Sequence, residues 1–221
     1  MTHTHDNRGE RHVPHCKGSD RNMLIAVCAV LSYLYGSIPF GYLATAVLKG
    51  KKLTEQGSGN VGVTNAFKVG GTIAGIITIA GEISKAVVPV WAGRALFPGG
   101  LSATLLLVFC SLAGTSCSVF LKGRGGKGST AAMWSLLMLS PVSCLLLLVT
   151  AGILSLLARI AVRIKKLQLL CIPGVIYLVE RDAVFTIFGI LTSLLFVFNS
   201  YRRKDDFVYY NIFQQQSGLK R

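Results

Sequence analysis

The chain has 221 residues, of which 52% are hydrophobic and only 14% charged, against roughly 25% charged residues in soluble domains. Lipid is therefore its main solvent, and the apolar runs leave no room for a separate soluble domain. The net charge of +14, from 23 Lys and Arg against 9 Asp and Glu, excludes little by itself. In a soluble protein it would suggest nucleic acid, but here the basic residues fall mostly between apolar runs, where positive-inside loops and anionic headgroups account for them and no nucleic-acid partner is expected.

The polar stretch 1–22 holds all four histidines, His3, His5, His12 and His15, and precedes an apolar run too long for a signal-peptide core. It reads as a disordered arm. His3 and His5 lack the partner Cys or carboxylates of a metal site, so neither a metal nor a cofactor is expected. A membrane span needs roughly 20 mostly apolar residues. The first runs from Met23 to about Leu48 and contains Gly36-Ser37-Ile38-Pro39-Phe40-Gly41, so a break near Ser37 is expected. A loop from Lys49 to Gly70, rich in Lys, Gly and Asn, follows. The second span, about Gly71 to Ala92, carries Glu82 and Lys85; the third runs from about Leu101 to Leu121 and opens onto the basic loop Lys122 to Gly128.

The stretch 130–158 allows either one long span or two short ones folded at Ser140-Pro141. Charge decides between them. A single span would put Arg159, Arg163, Lys165 and Lys166 opposite the other basic loops, whereas a hairpin keeps all of them on one side. A short sixth span, Leu167 to Val179, a turn at Glu180-Arg181-Asp182 and a last span at 183–200 bring Arg202-Arg203-Lys204 back inside. The result is an all-α integral membrane protein of about seven helices, some short or broken, with its N-terminus outside and its C-terminus cytosolic. The membrane domain covers 23–204, and a polar tail covers 205–221. Cys28, Cys110, Cys117, Cys144 and Cys171 lie in apolar context without a C-x-x-C pair and read as small core residues.

Three constellations carry chemistry. Glu82 and Lys85 share a helix face at i, i+3, and an intramembrane charge costs about 2.5–3.5 kcal/mol on insertion scales. They form either a mutually neutralising pair or a cation poised for an anionic substrate. Gly57-Ser58-Gly59-Asn60-Val61-Gly62-Val63-Thr64-Asn65 formally contains G-x-G-x-x-G, but no βαβ unit fits between two membrane helices. Glycines that admit close approach, joined to Ser, Asn and Thr donors, suit a phosphate or polar headgroup better than a plain linker. Lys122-Gly123-Arg124-Gly125-Gly126-Lys127-Gly128-Ser129-Thr130 opens directly onto a helix, whose N-terminus attracts anions. Gly128 stands where a nucleotide-binding loop requires Ser or Thr, so nucleotide hydrolysis is not expected.

In this order and setting the motifs resemble those of the bacterial acyl-phosphate:glycerol-3-phosphate acyltransferases. Gly36-Ser37-Ile38-Pro39-Phe40-Gly41-Tyr42 is similar to that family's first-helix motif, Gly57-Ser58-Gly59-Asn60 with Thr64-Asn65 to its second, and Gly125-Gly126-Lys127-Gly128 to its G-G-K-G loop. The resemblance implies a seven-helix enzyme of the bacterial cytoplasmic membrane that passes a fatty acyl chain from acyl phosphate to the 1-hydroxyl of glycerol 3-phosphate, making lysophosphatidic acid. It implies Ser37, Asn60, Lys85 and Lys127 as catalytic candidates. Ser58, Gly59, Thr64, Asn65, Lys68, Glu82, Gly125, Gly126, Gly128 and Ser129 are then candidates for substrate binding, and membrane lipids surround the bundle. The chain departs from the family pattern at Thr54, Glu82, Ala86 and Thr115, and its Arg163-Ile-Lys-Lys166 stands in the region of a third motif. A relative that binds glycerol 3-phosphate or headgroups without turnover, and a small anion transporter, are the alternatives. Oligomeric state is left open.

Overall fold

In hydrocarbon each backbone N–H and C=O must be satisfied inside its own segment, so apolar runs of this kind fold as helices. The computed structural model describes residues 18–157, 164–202, 206, 209 and 210; the four histidines, Arg159 and Arg163 lie outside them. The elements are α1 (Gly18–Ser37), α2 (Phe40–Lys49), α3 (Val63–Asn65) with a π turn at Ala66–Gly70, α4 (Gly71–Leu96), α5 (Leu101–Ser116), α6 (Ser129–Leu139), α7 (Pro141–Leu157), α8 (Ile164–Glu180) and α9 (Ala183–Arg202). Ser19–Lys49, Val63–Leu96, Leu101–Leu121 and Ala183–Arg202 are long and apolar enough to cross a membrane, and Ser129–Leu139, Pro141–Leu154 and Cys171–Glu180 are shorter apolar helices. With α1 and α2 taken as one interrupted span, the described residues hold the seven segments expected.

Two boundaries differ from expectation. Helix α1 begins at Gly18, so 18–22 belong to it and not to the arm. Asp20 in its first turn complements the positive end of the helix dipole. At the other end, Asp206 and Tyr210 reach back to the loop before α4, within the stretch 205–221 expected as a polar tail.

The break in the first span falls where Pro39 lacks the N–H needed to continue α1. The stranded carbonyls find donors elsewhere: the Gly36 C=O accepts the Thr115 hydroxyl at 3.2 Å, and the Ser37 C=O accepts the Ser118 hydroxyl. Helix α1 lies tightly on α5, because a Cβ on Gly114 would sit 2.1 Å from the Tyr33 carbonyl oxygen. Small residues of this kind allow membrane helices to approach closely. Helix α5 also packs on α4 and α9, and Val90, Val108, Leu112 and Phe188 of these helices form the apolar core with Ile176 of α8. Val30, Ile76, Trp91, Val149 and Leu194 face outward, exposed as lipid-contacting side chains are.

The hairpin at Ser140-Pro141 is present. Pro141 takes the first position of α7, where its missing N–H has no helical partner to lose. The Cys144 thiol donates to the Met133 C=O at 3.6 Å, a contact that requires α7 to fold back along α6. The Ser140 hydroxyl donates to the Glu180 carboxylate, and Arg94 donates to the Met138 C=O at 2.8 Å. One end of the bundle therefore collects Arg94, Gly99, Ser140 and Glu180. The other collects the loops before α4 and α6 and the Arg202 end of α9. In a cysteine-free background, single cysteines at Arg124 and Arg202 should react with an impermeant maleimide from the same side of the membrane, and one at Arg181 from the opposite side. Labelling of 124 and 181 from one side would refute this arrangement.

Candidate functional site

Asn65 organises the loop before α4. Fully buried, its amide Nδ2 donates to the carbonyls of Leu53 (3.4 Å), Gln56 (3.1 Å) and Asn60 (2.7 Å). Its Oδ1 accepts the Ser58 N–H at 3.2 Å and the Tyr210 hydroxyl. Gly57 has a φ of +59°, and a Cβ there would stand 2.3 Å from both Asn65 Oδ1 and the Tyr210 hydroxyl. Leu53, Val61 and Ala66 pack beneath as a small apolar base. Burial, and then the nearby Asp206 carboxylate, push the Tyr210 phenol above its ordinary pKa.

The second loop is tied to α5 and α9. Gly126 donates its N–H to the Thr115 C=O at 2.8 Å. Asn199 on α9 donates to Ser116 Oγ at 2.7 Å and to the Lys127 C=O at 3.4 Å. Gly128, at φ +75°, starts α6 with no side chain capping its first N–H groups, so the helix presents partial positive charge to whatever lies in front of it.

In front of it is a polar cavity of about 70 Å³ whose walls include Asn60, Gly62, Thr64, Glu82, Gly126, Lys127, Gly128, Ser129, Thr130 and Asp206. Ser58 reaches the same place, its hydroxyl donating to Asp206. Glu82 on that wall is paired with Lys85 behind it, with Nζ 2.7 Å from Oε1 and Lys85 only 2% exposed. Pro89, one turn further along α4, has no N–H to return to the Lys85 C=O. The Ser111 hydroxyl from α5 supplies that bond at 2.8 Å. Lys85 also lies 5.5 Å from the centre of the Phe40 ring.

An apolar cavity of about 380 Å³ opens between α5, α6, α7, α8 and α9, against Leu112, Met133, Leu136, Leu148, Phe188 and Phe196. Ser129 borders both cavities.

The structure thus gathers Asn60, Thr64, Glu82, Gly126, Lys127, Gly128 and Ser129 around one space, as the sequence suggests. It places others differently. Ser37 is off the cavity, because its hydroxyl donates to the Tyr33 C=O at 2.9 Å and its carbonyl is held by Ser118. Asn65 spends its amide on the loop itself. Lys85 stands behind Glu82, neutralised by it. Lys68 is exposed, 5.7 Å from the Tyr210 ring centre. Gly59, at φ +73°, and Gly125, where a Cβ would come 2.1 Å from the Thr115 carbonyl oxygen, shape the backbone and do not line the cavity. Asp206 and Tyr210 were missed. An acid in a chain with only 9 Asp and Glu was the available signal.

A sequence model described as glycerol-3-phosphate acyltransferase matches residues 26–209. A glycerol-3-phosphate acyltransferase of Syntrophomonas wolfei is 32% identical over 179 residues, covering 79% of this chain and 88% of that one. Relatives of the same description from Carboxydothermus hydrogenoformans (39% identical) and Desulforudis audaxviator (41%) align over 47% and 51% of this chain. The chain spans about half the length of those two, 52% and 56%. The fold is similar to crystal structures of PlsY, an integral membrane glycerol 3-phosphate acyltransferase, in a glycerol 3-phosphate form and a lysophosphatidic acid form. TM-scores are 0.69 and 0.65 at 22% and 20% identity, covering 88% of this chain and 93% of those.

The buried pair makes a stability prediction. Lys85→Met should lower stability by about 3–5 kcal/mol, because it strands the Glu82 carboxylate, while adding Glu82→Leu should recover most of that loss. Thermal unfolding in detergent reads both, and an undiminished midpoint in the single variant would contradict the pairing.

Proposed function

The chain belongs to the glycerol-3-phosphate acyltransferase family, and from that premise we propose that it transfers a fatty acyl group from acyl phosphate to the 1-hydroxyl of glycerol 3-phosphate, releasing lysophosphatidic acid and phosphate. The observation that carries this reading is the position of Ser129, on the wall of both the polar and the apolar cavity. An acyl phosphate is a phosphate joined to an apolar chain, and this is where the two parts meet.

The acyl donor is already an activated mixed anhydride, so the site must supply position and charge stabilisation. The acceptor hydroxyl oxygen attacks the acyl carbonyl carbon, the bond from that carbon to the phosphate oxygen breaks, and the hydroxyl proton passes to phosphate. All four histidines lie in 1–17 of the sequence, and in the route that the family resemblance implies a substrate phosphate assists deprotonation. Lys127 and the first N–H groups of α6 oppose the charge that gathers on the leaving phosphate. Asn60, Thr64 and Ser58 hold phosphate oxygens, and the apolar cavity holds the acyl chain. Glu82 stays paired with Lys85 and leaves Lys127 as the counter-charge at the wall. Under the positive-inside rule the basic loops place this face in the cytosol, with the N-terminus outside the bacterial inner membrane.

One feature favours a second reading, binding without turnover: the Asp206 carboxylate already takes the Ser58 and Asn60 donors. Purified protein given acyl phosphate and glycerol 3-phosphate separates the two. Lysophosphatidic acid should accumulate, and Asn60→Ala and Lys127→Ala should each lower kcat/KM by about 100-fold, the scale of removing one preorganised donor. Folded protein that makes no product would contradict acyl transfer, and variants with undiminished rates would show the site to be elsewhere.

A further inference from the structure

The carboxylate that closes the polar cavity comes from beyond α9. Asp206 is 7% exposed and uses both oxygens: one accepts the Ser58 hydroxyl, the other the Asn60 Nδ2–H at 2.9 Å. Two neutral donors spread over two oxygens of one anion is also how an edge of a phosphate is held. The same stretch is fastened by the Tyr210 hydroxyl on Asn65 and by Lys68 over the Tyr210 ring.

Two further observations bear on what this does to a ligand. With Asp206 in place the cavity measures about 70 Å³, room for a few waters. Asn60 Oδ1 is buried with no hydrogen-bond partner, an acceptor left over once Nδ2 has turned to the carboxylate. A phosphate dianion and a carboxylate compete for the Ser58 and Asn60 donors, because like charges brought together across a binding site repel.

We infer that Asp206 is an internal competitor of phosphate: it occupies the Ser58–Asn60 donor pair as an anion and must leave before the phosphate of a phosphoester takes that place. This rests on the reading that the loop receives phosphate. Its consequence is a site whose affinity for small phosphoesters is held down by one charge. Asn60 Oδ1, already without a partner, then accepts a hydroxyl of the ligand that displaces Asp206.

Equilibrium binding of glycerol 3-phosphate and of inorganic phosphate to the full chain in detergent tests this. Asp206→Asn should tighten Kd at least about tenfold for both, a modest fraction of a like-charge penalty, and adding Asn60→Ala should remove the gain. Folded Asp206→Asn with unchanged or weaker binding would overturn the inference. Hydrogen exchange of the wild-type chain keeps it testable should that variant fail to fold. Amides around Asp206 and Tyr210 should exchange faster on saturation with glycerol 3-phosphate, and unchanged or slower exchange would also overturn it. Tightened binding without lysophosphatidic acid production sinks acyl transfer and keeps this inference; product formation with no change in Kd does the reverse.

Discussion

The hydroxyl-bearing end of α5 supplies the donors that the rest of the site lacks. Ser111 bonds the Lys85 carbonyl that Pro89 strands, Thr115 bonds the Gly36 carbonyl at the break in the first span, and Ser118 bonds the Ser37 carbonyl. The Thr115 carbonyl in turn accepts the Gly126 N–H, and Ser116 accepts the Asn199 amide. The first three satisfy carbonyls that Pro89 and the break in the first span leave unpaired, where an unsatisfied buried group costs about 1–3 kcal/mol. Without them the broken first span, the proline-containing α4 and the glycine loop before α6 would not meet at one place.

Given that frame, the electrostatics follow. The intramembrane acid and base neutralise each other at 2.7 Å, so the positive character facing the cavity comes from Lys127 and the uncapped start of α6. Ser129 stands in that first turn with the polar cavity on one side and the apolar cavity on the other. A headgroup-like phosphate and a hydrocarbon chain have opposite solvent preferences, and a helix N-terminus at the boundary between such spaces suits both ends of one molecule. Asp206 completes the wall, adding a negative charge to a cavity that Lys127 and the start of α6 also line.

The parts legible in sequence were those with local causes. Gly36 to Gly41 announces the break through Pro39, Ser140-Pro141 the hairpin, and the glycines with Asn60 and Lys127 the two loops. What escaped depends on contacts distant in sequence. Thr115 looks like a departure from the family pattern, yet its hydroxyl bridges to Gly36 and its carbonyl to Gly126. Asn65 looks like a ligand donor, but all its bonds go to its own loop and to Tyr210. Ser37 has the right neighbours and a hydroxyl turned back along α1. Asp206 and Tyr210 sit in a polar tail with no periodicity, so only folding brings them 148 and 145 positions back to Ser58 and Asn65.

The central claim is that the two glycine loops and the start of α6 form one phosphate site beside an acyl cavity. A structure determined with glycerol 3-phosphate bound tests it most directly. Phosphate oxygens should lie within about 3 Å of Asn60 Nδ2 and the Ser129 or Thr130 N–H, with the Asp206 carboxylate withdrawn from both Ser58 and Asn60. A phosphate bound at the opposite end of the bundle, near Arg94 and Gly99, with Asp206 still on Asn60, would contradict it.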